Sequence, residues 1–133
     1  MMRKDRTVLL SPLLAAVVLI SSGCIQPQPS SPAESIILAV RNAHAYDVES
    51  YNCHNYTLDA VILLNASGYD AVYVYAYNRF PDLSNHAWVR LYRDNRTSYR
   101  DYDTAKGLYP PDYSRYSETR ECQILPNMKL YCP

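Results

Sequence analysis

The spacing of the apolar residues changes from that of a helix to that of a strand near Gly68, and this change limits the folds open to the chain. Before it, "CHNYTLDAVILLNA" repeats apolar residues at helical spacing. After it, "YDAVYVYAYN" alternates small apolar residues with tyrosine, which is typical of a strand. Asn52 is a preferred N-cap residue, and Gly68 fits the position just after a helix. The pattern predicts a helix over 53–66, followed directly by a sheet.

The segments on either side extend this outline. A first helix is predicted over 33–47, after Ser31 and Pro32. "HAWVRLYRD" and "TSYRDYDTA" alternate and are joined by "DNRT", which predicts an antiparallel hairpin. The tail over 106–133 holds four of the nine prolines and is predicted to be irregular. The expected fold class is α+β, with two N-terminal helices on a short antiparallel sheet of about three strands.

The register of the hairpin decides which side chains can meet. A two-residue loop at Asn95 and Arg96 places Trp88 opposite Asp103, with His86 diagonal to Asp103 on the same face. A register shifted by one residue would place His86 and Asp103 on opposite faces.

The first residues have the layout of an export signal. Basic residues near the start precede an apolar run and then small residues that end at Cys24. We expect residues 1–23 to be a signal peptide, and Cys24 to be lipidated at a lipoprotein-type cleavage site. An uncleaved anchor helix or cleavage elsewhere are alternatives, and both still export the chain. Residues 24–32 form a tether rich in proline and serine, which leaves 33–133 for one folded domain.

Composition excludes some functions and favours others. Thirteen basic and thirteen acidic residues cancel, and the basic ones do not cluster after the signal, so no nucleic-acid partner is expected. Fourteen tyrosines are best explained by packing in a small core, with carbohydrate binding as the alternative. In an exported chain the sequons make Asn95 and Asn65 candidate glycosylation sites, whereas Asn55 is too close to the start of the second helix.

Three residue types in this order suit a thiol nucleophile. Cys53 begins the central helix, where the partial positive charge of the N-terminus favours a thiolate. His86 begins the second predicted strand and would accept the thiol proton. Asp101 or Asp103, on the third predicted strand, would orient the imidazole. A plain buried thiol at Cys53 and an unpaired histidine at the strand edge are the structural alternatives.

The motifs resemble those of the transglutaminase-like superfamily. The resemblance covers about residues 49–105 and rests on the cysteine-initiated helix ending "LLNASG", on "HAWVRLY", and on an aromatic residue four before an aspartate. Tyr99 and Asp103 fit that last spacing, which favours Asp103 over Asp101. The resemblance implies a papain-like fold with a triad of Cys53, His86 and Asp103. The chain lacks the glycine often found before the nucleophile, and Thr104 stands where a proline often follows the aspartate.

The expected function follows from these features together. We expect an exported, lipid-anchored, monomeric thiol enzyme that acts on amide bonds of a cell-surface peptide or protein through a thioester, without metal or cofactor. An inactive transglutaminase-like binding module is the alternative, and a tyrosine-rich adhesion lipoprotein is a third interpretation. A metal site of Cys53, His54 and His86 is disfavoured, because adjacent helical residues point about 100° apart. His54 is expected to face solvent.

Two details complete the expected site. The Cys53 N–H would supply one oxyanion donor, and the second would come from Asn42, Tyr46 or Tyr51. Of the four cysteines, the lipid and the nucleophile account for two, so the sequence predicts a disulfide between Cys122 and Cys132.

Overall fold

The computed structural model describes residues 27–133, so the predicted signal peptide and Cys24 lie outside the described residues. The elements are α1 (Pro32–Ala43), α2 (Cys53–Ala66), β1 (Ala71–Asn78), β2 (His86–Arg93), β3 (Ser98–Tyr102), β4 (Tyr116–Ile124) and β5 (Leu130–Tyr131). Within the described part, no helix has the length and apolar character needed to cross a membrane.

The five strands form one sheet in the order β3-β2-β1-β4-β5, and every neighbouring pair is antiparallel. The prediction of about three strands with an irregular tail is therefore wrong, because the tail supplies β4 and β5. The segment "YSETRECQI" of β4 is mostly polar, and Cys122 is its one buried residue, so it shows little apolar alternation. It joins the sheet through its backbone, from Tyr73 opposite Cys122 to Asn78 opposite Tyr116.

The helix α2 has the predicted limits, whereas α1 ends four residues early. At the start of α2, the side chain of Asn52 accepts from the backbone of Asn55, and the side chain of Asn55 accepts from the backbone of Asn52. After the end of α2, Gly68 has a φ of +86°, a conformation that residues with a Cβ rarely adopt. After Ala43 the chain leaves the helix. The Asp47 carboxylate accepts from the N–H groups of Glu49 and Ser50 at 2.8 and 3.0 Å, and such local bonds compete with helix formation.

The helices pack on one face of the sheet, and a smaller cluster covers part of the other. The main core joins α1 and α2 to inward residues of the sheet, among them Tyr56, Leu64, Tyr73, Val89 and Tyr102. The opposite face buries Trp88 with Val74, Ala76 and the partly buried Tyr116. Successive side chains of β2 point to opposite faces of the sheet, so Val89 enters the main core and Trp88 enters the smaller cluster.

The β2–β3 hairpin has the predicted register over a longer loop. Val89 lies opposite Tyr102 and Arg93 opposite Ser98, which are the predicted partners. The connection spans four residues instead of two, with a 3-10 turn at Asp94–Arg96. Because the loop is longer by an even number of residues, each side chain stays on its predicted face of the hairpin. Because β3 ends at Tyr102, Asp103 follows the strand instead of lying on it.

A buried charge network lies on the Trp88 face of the hairpin. Arg90 binds both oxygens of Asp101 at 2.8 and 2.9 Å, and it binds Glu121 of β4 at 3.0 Å. Tyr113 donates to Asp101 at 3.0 Å. Asp101 is only 3 % exposed, so this pair is buried in the sheet and does not lie on its surface.

Removing the arginine from this network should destabilise the fold. Arg90→Gln leaves two carboxylates uncompensated, one of them buried, which we expect to lower the free energy of unfolding by about 3 kcal/mol. Arg96→Gln is the matched control, because the Arg96–Asp70 pair is exposed on both sides and exposed pairs contribute little. Urea unfolding of both variants measures the difference, and equal losses would contradict this assignment.

The structure joins Cys122 to Cys132 in a disulfide that ties β4 to the residue after β5. Cys132→Ser should lower the free energy of unfolding by about 2.5–3 kcal/mol, since the bridge restricts the unfolded chain. The variant and the wild type should unfold alike under a reducing agent. Peptide mapping without reduction should recover the linked pair, and a fragment linking Cys53 to either cysteine would contradict it.

Candidate active site

Cys53 is the first residue of α2, and it is a free cysteine with 6 % of its surface exposed. The reciprocal cap of Asn52 and Asn55 fixes this turn of the helix. The first N–H groups of a helix have no acceptor within the helix, and the dipole places partial positive charge beside the sulfur. The start of α2 therefore presents backbone donors that lack a partner within the helix next to Cys53.

His86 stands between Cys53 and Asp103. Its Nε2 lies 3.0 Å from Asp103 Oδ2, and the Asp103 side chain is 1 % exposed. The Cys53 side chain also acts on this imidazole, and the two residues line the same cleft. The His86–Asp103 contact has the distance of an ion pair without the alignment of a hydrogen bond, and catalytic hydrogen bonds commonly tighten only when substrate binds.

The electrostatics of the pair favour its charged form. Burial by itself would lower the pKa of His86, but the close Asp103 carboxylate and the Cys53 side chain outweigh burial and raise that pKa to about 9. Burial would likewise raise the pKa of Asp103, but the contact with His86 and the charges of His86 and Lys106 hold it below its usual range. The two groups are therefore held as an imidazolium and a carboxylate at neutral pH.

Lys106 is a contact of the site that the sequence reasoning missed. Its Nζ lies 3.2 Å from Asp103 Oδ2, on the turn that follows β3. The Asp103 N–H donates to the carbonyl of Tyr109 at 2.8 Å, which holds the carboxylate after the strand ends. The spacing of three residues between Asp103 and Lys106 could have indicated this contact. It brings the two side chains together only if the chain forms a turn there.

The cysteine and the histidine open into one cleft of about 570 Å³. Its walls combine aromatic, amide and basic side chains, namely Tyr46, Val48, Asn52, Cys53, His54, Tyr75, Asn78, Leu83, Ser84, Asn85, His86, Lys106, Arg115 and Tyr116. A second, mostly apolar cavity of about 450 Å³ lies between α1 and α2 and contains none of these residues. The larger cleft is the one that a substrate of Cys53 would enter.

His54 is not the solvent-facing residue that the sequence suggested. It is half-buried, and its Nδ1 contacts the hydroxyl of Tyr73. Its ring lies near those of Tyr73 and Tyr75, with centroids 6.2 and 5.5 Å away. Burial, and secondly the charge of His86, lower its pKa. The two histidines beside Cys53 therefore differ in charge, because only His86 has a carboxylate partner.

The other predicted residues lie apart from this cleft. Asp101 is held by Arg90 and does not contact His86 in the way Asp103 does. The Asn65 side chain forms two hydrogen bonds to the backbone of Ala71, so its amide is engaged, whereas Asn95 is exposed in the hairpin loop. No group of histidine, cysteine or acidic residues within 27–133 is arranged to hold a metal ion.

Comparison of the chain with models of protein families, with curated proteins and with solved structures gives no match. The transglutaminase-like interpretation stays a prediction that rests on the motifs, and the lipidation of Cys24 stays one that rests on the signal.

Replacing Asp103 should remove the increase in the pKa of His86. In Asp103→Asn the carboxylate is lost while burial remains, so we expect the pKa of His86 to fall from about 9 toward or below its ordinary 6.5. NMR titration of the imidazole measures this change. Asp82→Asn, which alters an exposed carboxylate, is the control and should leave the titration unchanged; an unchanged pKa in Asp103→Asn would contradict the pairing.

The raised pKa of His86 also determines how the stability of the folded protein changes with pH. The folded pKa of His86 lies above the unfolded value, so the stabilisation from the pair is fully present below pH 6.5 and is lost as pH rises through about 9. The lowered pKa of Asp103 sets the acid limit, because its contribution is lost as pH falls below the ordinary 3.8. The stability difference between wild type and Asp103→Asn should be largest between these limits.

Proposed function

We propose that this protein is an exported thiol enzyme that cleaves or transfers amide bonds of peptides or proteins through a thioester on Cys53. The observation that carries the proposal is that the Cys53 thiol at the start of α2 and the His86 imidazole, which pairs with the buried Asp103 carboxylate, line the same open cleft. Buried and perturbed groups of this kind, in contact and in a cleft, are typical of active sites.

The first half-reaction forms the thioester. The thiol proton rests on His86, so that the pair reacts as a thiolate and an imidazolium, and the Cys53 sulfur attacks the amide carbonyl carbon. As the tetrahedral intermediate collapses, the C–N bond breaks and the imidazolium gives its proton to the leaving nitrogen. Asp103 holds the imidazole in the required orientation and stabilises its positive form.

The second half-reaction releases the acyl group. Water or an amine attacks the thioester carbonyl and gives up a proton to His86. The C–S bond then breaks, which releases the acyl group and restores the Cys53 thiolate beside the His86 imidazolium. Water yields an acid and amounts to hydrolysis, whereas an amine yields a new amide and amounts to acyl transfer.

The cellular setting of the proposal rests on the N-terminal signal and on the disulfide. We infer export and a lipid anchor at Cys24, with a cell-surface peptide or protein as substrate and a monomeric enzyme. The Cys122–Cys132 disulfide supports this setting, because such bonds persist mainly outside the reducing cytosol.

The proposal predicts that the reactivity of Cys53 depends on His86. Alkylation by iodoacetamide at pH 6, followed by mass mapping, should be faster in the wild type than in His86→Ala, by roughly 10²-fold or more if the imidazole supplies the usual acid–base assistance. A thiol-directed amide probe should label the wild type and fail to label Cys53→Ala.

His44→Ala is the matched control for these measurements. His44 follows α1 and stacks on Tyr51, with centroids 3.8 Å apart, outside the contacts of the thiol. Its replacement should leave both reactions unchanged. Equal alkylation of wild type and His86→Ala, starting only near pH 9, would refute the enzyme and favour the inactive binding module.

A further inference from the structure

The proposed reaction needs two donors for the oxyanion of the tetrahedral intermediate, and the helix supplies one of them. The Cys53 N–H lies at the N-terminus of α2, where backbone donors have no acceptor within the helix. A second donor must come from a side chain or loop near the sulfur. The described residues of the cleft wall narrow the choice.

Most candidate donors around the sulfur are already engaged. The Tyr51 hydroxyl donates to Asp59. The Asn52 amide donates to the Val48 carbonyl at 3.1 Å. The Asn85 amide donates to the Tyr75 hydroxyl at 2.9 Å. Asn42, the remaining upstream candidate apart from Tyr46, does not line the cleft.

Tyr46 lines the cleft together with Cys53 and is held there by a short, cross-linked loop. Two backbone hydrogen bonds of 2.9 Å join Asp47 to Tyr51 just after it. Just before it, the carbonyl of His44 accepts from the buried Tyr56 hydroxyl at 2.6 Å. The Tyr46 ring lies nearly parallel to that of Tyr56, with centroids 6.4 Å apart. These contacts hold the backbone on both sides of Tyr46, and its ring packs against Tyr56.

Tyr46 and Cys53 line the same cleft, and the surroundings of the Tyr46 hydroxyl favour its protonated form. Burial raises its pKa first, and the charges of Cys53 and then Asp103 add to the effect. A protonated phenol is a donor at neutral pH. Tyr116 differs, because Asp103 acts on it more strongly than Cys53 does and its ring stacks on His86 at 5.9 Å. Tyr116 therefore belongs to the imidazole side of the cleft, and Tyr46 to the sulfur side.

We propose that the Tyr46 hydroxyl is the second oxyanion donor of this site, opposite the backbone N–H of Cys53. The inference rests on the proposed thioester chemistry. Tyr46 keeps its proton throughout and donates a hydrogen bond that strengthens as the carbonyl oxygen becomes negative. Its ring is 52 % exposed, so a substrate carbonyl entering the cleft can reach the phenol.

Two electrophiles separate this role from any effect on the thiol itself. An activated ester, p-nitrophenyl acetate, reacts through an oxyanion, whereas iodoacetamide reacts at a saturated carbon and forms none. Tyr46→Phe should slow acylation of Cys53 by about 10²-fold and leave alkylation within about twofold of the wild type. Tyr131→Phe, the same substitution at an exposed tyrosine outside the cleft, is the control and should change neither reaction.

Each result of the comparison has a definite meaning. Equal slowing of both reactions in Tyr46→Phe, or slowing of neither, would overturn the oxyanion role while leaving the proposed enzyme in place. Wild-type acylation no faster than that of His86→Ala would overturn the enzyme, and with it this inference. Thermal unfolding of Tyr46→Phe checks that the exposed ring still holds its loop, since the substitution keeps the aromatic contact with Tyr56.

Discussion

Backbone pairing between β2 and β3 is the interaction on which the site depends. Its register places Arg90 opposite Asp101 and brings the residue after β3, Asp103, to His86 at the start of β2. A slip of one residue would turn both carboxylates, Asp101 and Asp103, to the other face. The same β2 is contacted by α2, so the strand that carries the histidine also receives the helix that carries Cys53.

Asp101 and Asp103 lie two residues apart but have different partners, and the partners determine whether each carboxylate can take part in proton transfer. Asp101 is neutralised by a two-point contact with Arg90 and by the Tyr113 hydroxyl. Asp103 has partners that can still exchange: an imidazole, which titrates, and an exposed lysine amine. A fixed guanidinium pair stabilises the sheet, whereas an imidazole pair can hold and release a proton. Two positions along the chain thus separate a structural carboxylate from one suited to catalysis.

Tyrosine side chains fill much of the core of this small domain, and one of their hydroxyls holds a loop at the cleft. The rings of Tyr56, Tyr73 and Tyr102 are almost fully buried, and each hydroxyl reaches a polar partner. Tyr56 fills the core under α2 while its hydroxyl holds the loop before Tyr46. A phenylalanine would supply the same apolar area without that second contact. Packing accounts for these three tyrosines, whereas Tyr46, Tyr99, Tyr113 and Tyr131 are exposed.

The sequence by itself determined α2, the β2–β3 register and the positions of Cys53 and His86 at the starts of their elements, because caps, periodicity and hairpin parity act over short distances. Only the tertiary structure decided that the polar segment 116–124 is a strand, since its pairing with β1 uses backbone groups that leave no apolar pattern. It also decided which aspartate meets His86, because Arg90 takes Asp101 across the hairpin. The place of Tyr46 depends likewise on contacts between segments that are distant in the chain, which no local rule of the sequence describes.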